Sequence, residues 1–261
     1  MSRFACWLTG AIALFGLCLD AACPPAAAAA DLKVISAGAV RGLIAEIIDD
    51  YSRQTGQKFD FTIGTTGQLR NIIASGQHAD LIIVSAPLMG ELEKTGKLTS
   101  GSRAELGRVG IGVAIREGAA APDVSTPEAL KKALIDARSV AYTNPAEGGT
   151  SGIYFAGVAE RFGIGDDIKK KAVMTRGGRE AAIEVAEGRA EVAIVFMSEA
   201  AAVKGVRLAG PLPPALQDYS AYAAAIPASS TDPAAARAFI AALTSAAMAE
   251  RWRRNGFEPP R

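Results

Sequence analysis

The chain has 261 residues, 49% hydrophobic and 21% charged, a length that suits one large or two modest domains and a composition that supports a sizeable core. Its 28 basic and 27 acidic residues nearly cancel. That balance argues against a nucleic-acid surface, which needs a basic excess to displace counterions from phosphates.

The first thirty residues read as a signal peptide. Arg3 precedes an apolar stretch from Phe4 to Leu19, and Ala28-Ala29-Ala30 before Asp31 offers the small side chains that signal peptidase requires. The apolar stretch is near the lower limit for a membrane span, and prolines and small residues follow it, which favours export over an anchor. Lipidation at Cys23 is disfavoured because Asp20 stands where such sites take an aliphatic residue. Cys6, Cys18 and Cys23 are the only cysteines. The mature chain would have none, so in an oxidising compartment its stability would rest on the core and not on disulfides.

From Asp31 onward, strand and helix patterns alternate. Leu32 to Ser36 reads as a strand, and Arg41 to Arg53 as a helix with Leu43, Ile44, Ile47, Ile48 and Tyr51 on one face. Phe59, Phe61 and Ile63 alternate as in a strand, and Leu69, Ile72 and Ile73 mark a helix ending near Gly76. Leu81 to Val84 is a continuous apolar run, expected of a strand buried on both faces. Val109 to Ile115 alternates over a length that can cross between lobes. In the second half, Ser139 to Tyr142 is a strand, Gly152 to Phe162 a helix closed by Gly163, and Arg179 to Glu187 a helix closed by Gly188. Val192 to Phe196 is a buried strand. Asp232 caps a helix with Pro233 at its first position, and Gly256 is expected to stop it. Gly118 to Pro122 and Pro211 to Pro214 read as surface loops. Alternation of this kind predicts an α/β fold of mainly parallel sheets flanked by helices.

Several chemistries lack their residues. His78 is the only histidine, and without cysteine in the mature chain no zinc, copper or haem site and no cofactor is expected. His78 stands in a helix-to-strand turn, whereas ligands in α/β sheets gather at the opposite strand ends. No GxGxxG or GxxxxGK[ST] is present to bind a nucleotide.

Four strand-to-helix turns stand out: Ser36 to Arg41, Gly64 to Gln68, Asn144 to Gly152, and Arg176 to Arg179. Each offers glycine or small and hydroxyl side chains at a helix start. Such a start leaves backbone N–H groups unpaired and carries partial positive charge, which suits an anion. Any one of these turns is ordinary capping chemistry; four at equivalent points of two similar halves predict one shared anion site. Arg41, Arg176 and Arg179 lie in or beside the turns, and arginine pairs with carboxylate through two parallel hydrogen bonds.

These turns carry a resemblance. The stretches Lys33 to Ala39, Gly64 to Leu69, Ala79 to Ala86, Ser151 to Tyr154, Ala193 to Ala200 and Lys204 to Val206 resemble the periplasmic molybdate-binding protein family in order and spacing. The resemblance implies a type II solute-binding fold whose two lobes close over one ligand: residues 1–30 as signal peptide, 31–111 plus 205–261 as lobe 1, and 112–204 as lobe 2. It also implies a monomer that delivers a small anion to an ABC permease. The ligand contacts expected are Gly38, Ala39, Arg41, Thr65, Thr66, Gly67, Thr150, Ser151, Arg176, Gly178 and Phe196.

The departures leave two anion classes, a molybdate-like oxyanion and an organic polyanion, with a lean to the second. The family has serine where this chain has Ala39 and tyrosine where it has Phe196. Each lost donor in a dry oxyanion site costs roughly 1–3 kcal/mol. Arg41 beside the altered position implies a larger, more charged pocket, better matched to a di- or tricarboxylate. The chain also resembles the aconitate isomerase-like branch, which moves a double bond by taking a proton from one carbon and returning one to another. That chemistry needs carboxylate anchors and one base. Glu147, Tyr142, Tyr154 and Tyr222 are the candidates for the base.

Overall fold

The computed structural model describes residues 31–260. The signal peptide expected over 1–30, with its three cysteines, lies outside the described residues. Among those described, no helix is long and apolar enough to cross a membrane.

The chain opens with β1 (Leu32–Ala37), a short 3₁₀ turn, α1 (Arg41–Thr55), β2 (Phe59–Gly64), α2 (Thr66–Ala74), β3 (Leu81–Ser85) and α3 (Ala86–Lys94). Strand β4 (Ala104–Arg116) leads to α4 (Pro127–Asp136), β5 (Val140–Thr143), α5 (Thr150–Arg161), α6 (Gly165–Lys170), β6 (Ala172–Thr175), α7 (Gly178–Ala186), β7 (Val192–Phe196) and α8 (Met197–Ala201). The chain ends with β8 (Val206–Pro211), β9 (Tyr219–Ala225), α9 (Pro233–Leu243), α10 (Ala249–Arg254) and β10 (Phe257–Glu258).

Two parallel groups result. β1 lies between β2 and β3, and β5 lies between β6 and β7. Antiparallel strands complete each group: β9 beside β3, and β4 beside both β9 and β7. The apolar runs of β3 and β7 are buried at every position, as strands with helices on both faces must be. On the outer face of the first group, Phe239 of α9 packs 4.6 Å from Phe59 and 5.2 Å from Tyr51, ring centroid to ring centroid.

β4 is the crossing strand, and longer than its alternating core suggested. Its first half, to Gly110, pairs with β9, and its second half, from Ile111, pairs with β7. At the changeover the Gln217 side chain clamps Ile111. Its Oε1 accepts from the Ile111 N–H at 2.9 Å and its Nε2 donates to the Ile111 carbonyl at 2.9 Å. The returning chain adds a Leu212 N–H to that same carbonyl.

β8 pairs with β4 from Gly112 to Arg116, in the second group of strands. The backbone therefore recrosses after Pro211. The single helix expected between Asp232 and Gly256 is two. The Asp232 side chain caps α9 through the Ala235 N–H at 3.0 Å, but α9 stops at Leu243. There the Thr244 and Ser245 hydroxyls bond back to the carbonyls of Ile240 and Ala242, and the Trp252 ring N–H takes the Leu243 carbonyl. These local bonds replace the next helical turn. Gly256, at φ 79°, then ends α10.

Candidate functional site

A cavity of about 300 Å³ lies where the C-terminal ends of β1, β2, β5, β6 and β7 face one another, within the roughly 300–1,000 Å³ of small-molecule sites. Each of the four turns contributes: Gly38, Ala39 and Arg41; Thr65 and Thr66; Thr150 and Ser151; Arg176, Gly178 and Arg179. Phe196 and Tyr222 complete the wall. The starts of α1, α2, α5 and α7 thus surround one space, with the N–H groups of first turns that helices leave unpaired.

The cavity's cations are unspent. The side chains of Arg41, Arg176 and Arg179 have no hydrogen-bond or ion-pair partner among the described residues. The Ser151 hydroxyl on the same wall is likewise free, and its residue is buried. At Ala39 and Phe196 the wall presents no hydroxyl.

The hydroxyls of the second turn are already committed. The Thr65 Oγ1 accepts from the Gln68 N–H at 3.2 Å while Gln68 Oε1 accepts from the Thr65 N–H at 3.0 Å, a capping box at the start of α2. The same Thr65 hydroxyl donates to the Glu147 carbonyl. Thr66 Oγ1 lies 3.2 Å from Thr150 Oγ1. Gly67 does not line the cavity; its N–H donates to the Gly148 carbonyl at 3.1 Å. Gln68 Nε2 reaches the Glu147 carboxylate at 2.8 Å. The second and third turns therefore latch directly to each other across the mouth, and Gly67 stands in that contact and not in the cavity wall.

Of the four candidate bases, only Tyr222 lines the cavity. Glu147 is turned outward to Gln68. Tyr142 is a buried core residue of β5, edge-on to Phe155 at 4.9 Å. The Tyr154 hydroxyl donates to the Leu216 carbonyl at 2.7 Å in the recrossing segment. Tyr222 is buried, and burial, then the nearby Glu199, drive its phenol well above its usual range. It holds its proton at neutral pH and is available as a donor, not as a phenolate base.

Sequence reasoning missed Glu199. It sits in the third position of α8, and its carboxyl folds back to accept the Phe196 N–H at 3.2 Å and also accepts from the Gly178 N–H. It occupies the space of a side chain at Gly178: a Cβ there would lie 1.9 Å from Glu199 Oε2. Burial pushes its carboxyl up and Glu180 adds to this, against the two N–H groups, to about 7. Glu199 and Glu180 put two acidic groups in a wall expected to hold anions mainly through backbone. Only one of them, Glu180, is exposed and solvated. A signal did exist: a glutamate three residues beyond the end of a buried strand is in capping-box position.

The chain matches the bacterial extracellular solute-binding protein family over residues 32–258. It is 32% identical over 234 residues to a Pseudomonas protein named aconitate isomerase, covering 87% of each chain. The periplasmic molybdate-binding protein of Azotobacter vinelandii superposes with a TM-score of 0.72 at 20% identity, over 88% of this chain and 100% of that one. The substrate-binding domain of a molybdenum ABC transporter from Clostridium difficile does so at 0.64 and 20%, over 88% and 99%. These structures share the type II solute-binding fold with this chain.

Proposed function

This chain belongs to the bacterial extracellular solute-binding protein family, and on that premise we propose that its cavity captures a small di- or tricarboxylate and interconverts cis- and trans-aconitate. The observation that carries this reading is the trio Arg41, Arg176 and Arg179, unpaired at one small cavity ringed by helix starts. Unpaired arginines at a common wall are anchors for several carboxylates at once. The 32% identity to a protein named aconitate isomerase supports a tricarboxylate in particular.

The lobes in this reading are 31–111 with 212–261, and 112–211, hinged where β4 and the Leu212 to Gln217 segment cross. Closure brings Gly67 and Thr66 against Gly148 and Thr150 and seals the ligand, whose contacts to both lobes favour the closed form. The mature protein acts in the periplasm as a monomer. Delivery of the captured anion to an ABC permease is the second reading, favoured by that same cross-cleft latch, since a carrier must hold its cargo closed.

A thermal-shift panel tests capture: molybdate, tungstate, sulfate, citrate, tricarballylate and trans-aconitate. The tricarboxylates should raise the melting temperature through binding to the folded state. A response to molybdate alone would defeat the reading. Isomerisation is tested by following cis-aconitate by proton NMR in heavy water. Trans product with deuterium in it is expected; tricarballylate binding without any turnover would leave transport as the function.

A further inference from the structure

Resting on the aconitate reading above, we propose that Glu199 is the residue that moves the proton: its carboxylate takes one from the substrate's methylene carbon, exchanges it with solvent, and returns one to the far carbon of the allyl unit. No candidate drawn from the sequence included it.

The geometry makes three points. Glu199 is buried, yet its carboxyl reaches the cavity wall between the starts of α7 and α8 and the first turn, with Oε1 3.8 Å from where a Cβ on Gly38 would stand. It has no cation partner among the described residues, although Arg41, Arg176 and Arg179 line the same cavity. A buried carboxyl without a paired cation is costly to maintain, and in a cleft that combination marks functional groups. Gly178 is the third point. Any side chain there would collide with the Glu199 carboxyl, so the start of α7 is kept bare to admit it.

The step balances without a co-reactant. Glu199 removes a proton from the methylene carbon. The electron pair left behind forms the new double bond to the central carbon, and the pair of the old double bond takes a solvent-exchanged proton from Glu199 at the other terminal carbon. Substrate and product are isomers, and Glu199 ends as it began. The arginines hold the carboxylates into which the transient negative charge delocalises. Tyr222, which keeps its proton, donates a hydrogen bond and does not compete as a base. Glu180 of α7 and Tyr222 of β9 act on the charge of Glu199 or feel it, and the three arginines share its cavity wall.

Capping alone is the competing explanation, and Glu199→Gln separates the two. A glutamine carbonyl accepts the Phe196 and Gly178 N–H groups as a carboxylate does, so the fold and tricarballylate binding should survive. Isomerisation and deuterium uptake from heavy water should fall about 10³-fold. For the wild-type protein, kcat/KM should rise with pH through about 7, because the base must be ionised. Glu199→Gln turning over at near wild-type rate, or a wild-type profile flat across that range, would overturn the assignment while leaving the functional reading intact. A wild-type protein that binds tricarballylate but never isomerises cis-aconitate would overturn both.

Discussion

Gly67 and Gly148 meet face to face across the mouth of the cleft: a Cβ on Gly67 would lie 2.8 Å from the Gly148 Cα, and one on Gly148 would lie 2.6 Å from the Gly67 Cα. The Gly67 N–H to Gly148 carbonyl bond closes over this contact at 3.1 Å. In the proposed closure neither residue needs to contact the ligand, because their approach itself requires that neither has a side chain.

Gly67→Ala should therefore weaken tricarballylate binding by about tenfold or more with little loss of unfolding free energy, since only the closed form loses a contact. Calorimetric titration gives the affinity, and small-angle scattering should show the apo protein more extended than wild type. Unchanged affinity would mean that the latch is incidental.

Arg41→Ala should lower tricarboxylate affinity by about 10²-fold, the scale of a charge-assisted hydrogen bond of roughly 1.5–3 kcal/mol. Any molybdate binding should be little changed. Arg41→Lys should recover only part of the loss, because an ammonium cannot form the paired bonds of a guanidinium. Equal losses for carboxylate and molybdate would move Arg41 out of the ligand's reach.

Glu199 sets a pH dependence of stability with a definite sign. Its folded value of about 7 lies above the ordinary 4.5, so the folded state holds a proton that the unfolded state releases first. Its contribution is fully present below about 4.5 and is lost as pH rises through about 7. The loss amounts to about 3 kcal/mol at most. Denaturant titrations of wild type and Glu199→Gln from pH 5 to 8 should diverge, with the variant gaining relative stability at the alkaline end. Parallel curves would show that the carboxyl titrates normally.

Tyr222→Phe should retain the fold, because the ring keeps its edge-on packing against Phe257 at 6.0 Å and Phe196 at 6.4 Å. Loss of the one hydroxyl it presents to the cavity should reduce tricarballylate affinity by about tenfold, near 1.4 kcal/mol. An unaltered affinity by calorimetry would remove Tyr222 from the ligand's contacts.

Sequence alone determined much of this protein. Period-two and continuous apolar runs marked β1, β2, β3, β5 and β7, and the glycine- and hydroxyl-rich turns after β1, β2, β5 and β6 marked the site, because strand periodicity and helix-start chemistry are local properties of the chain. What each side chain does there was decided only by tertiary structure. Gly67 looks like a ligand-approach glycine until Gly148, 81 positions away, is seen against it. Glu147 looks like a base until Gln68 takes its carboxylate, and Tyr154 until Leu216 takes its hydroxyl. Glu199 looks like a capping residue until α7 and the first turn enclose it. Burial and the presence or absence of a partner are sums over neighbours distant in the chain, and they determine whether a carboxyl is spent on structure or left available to carry a proton.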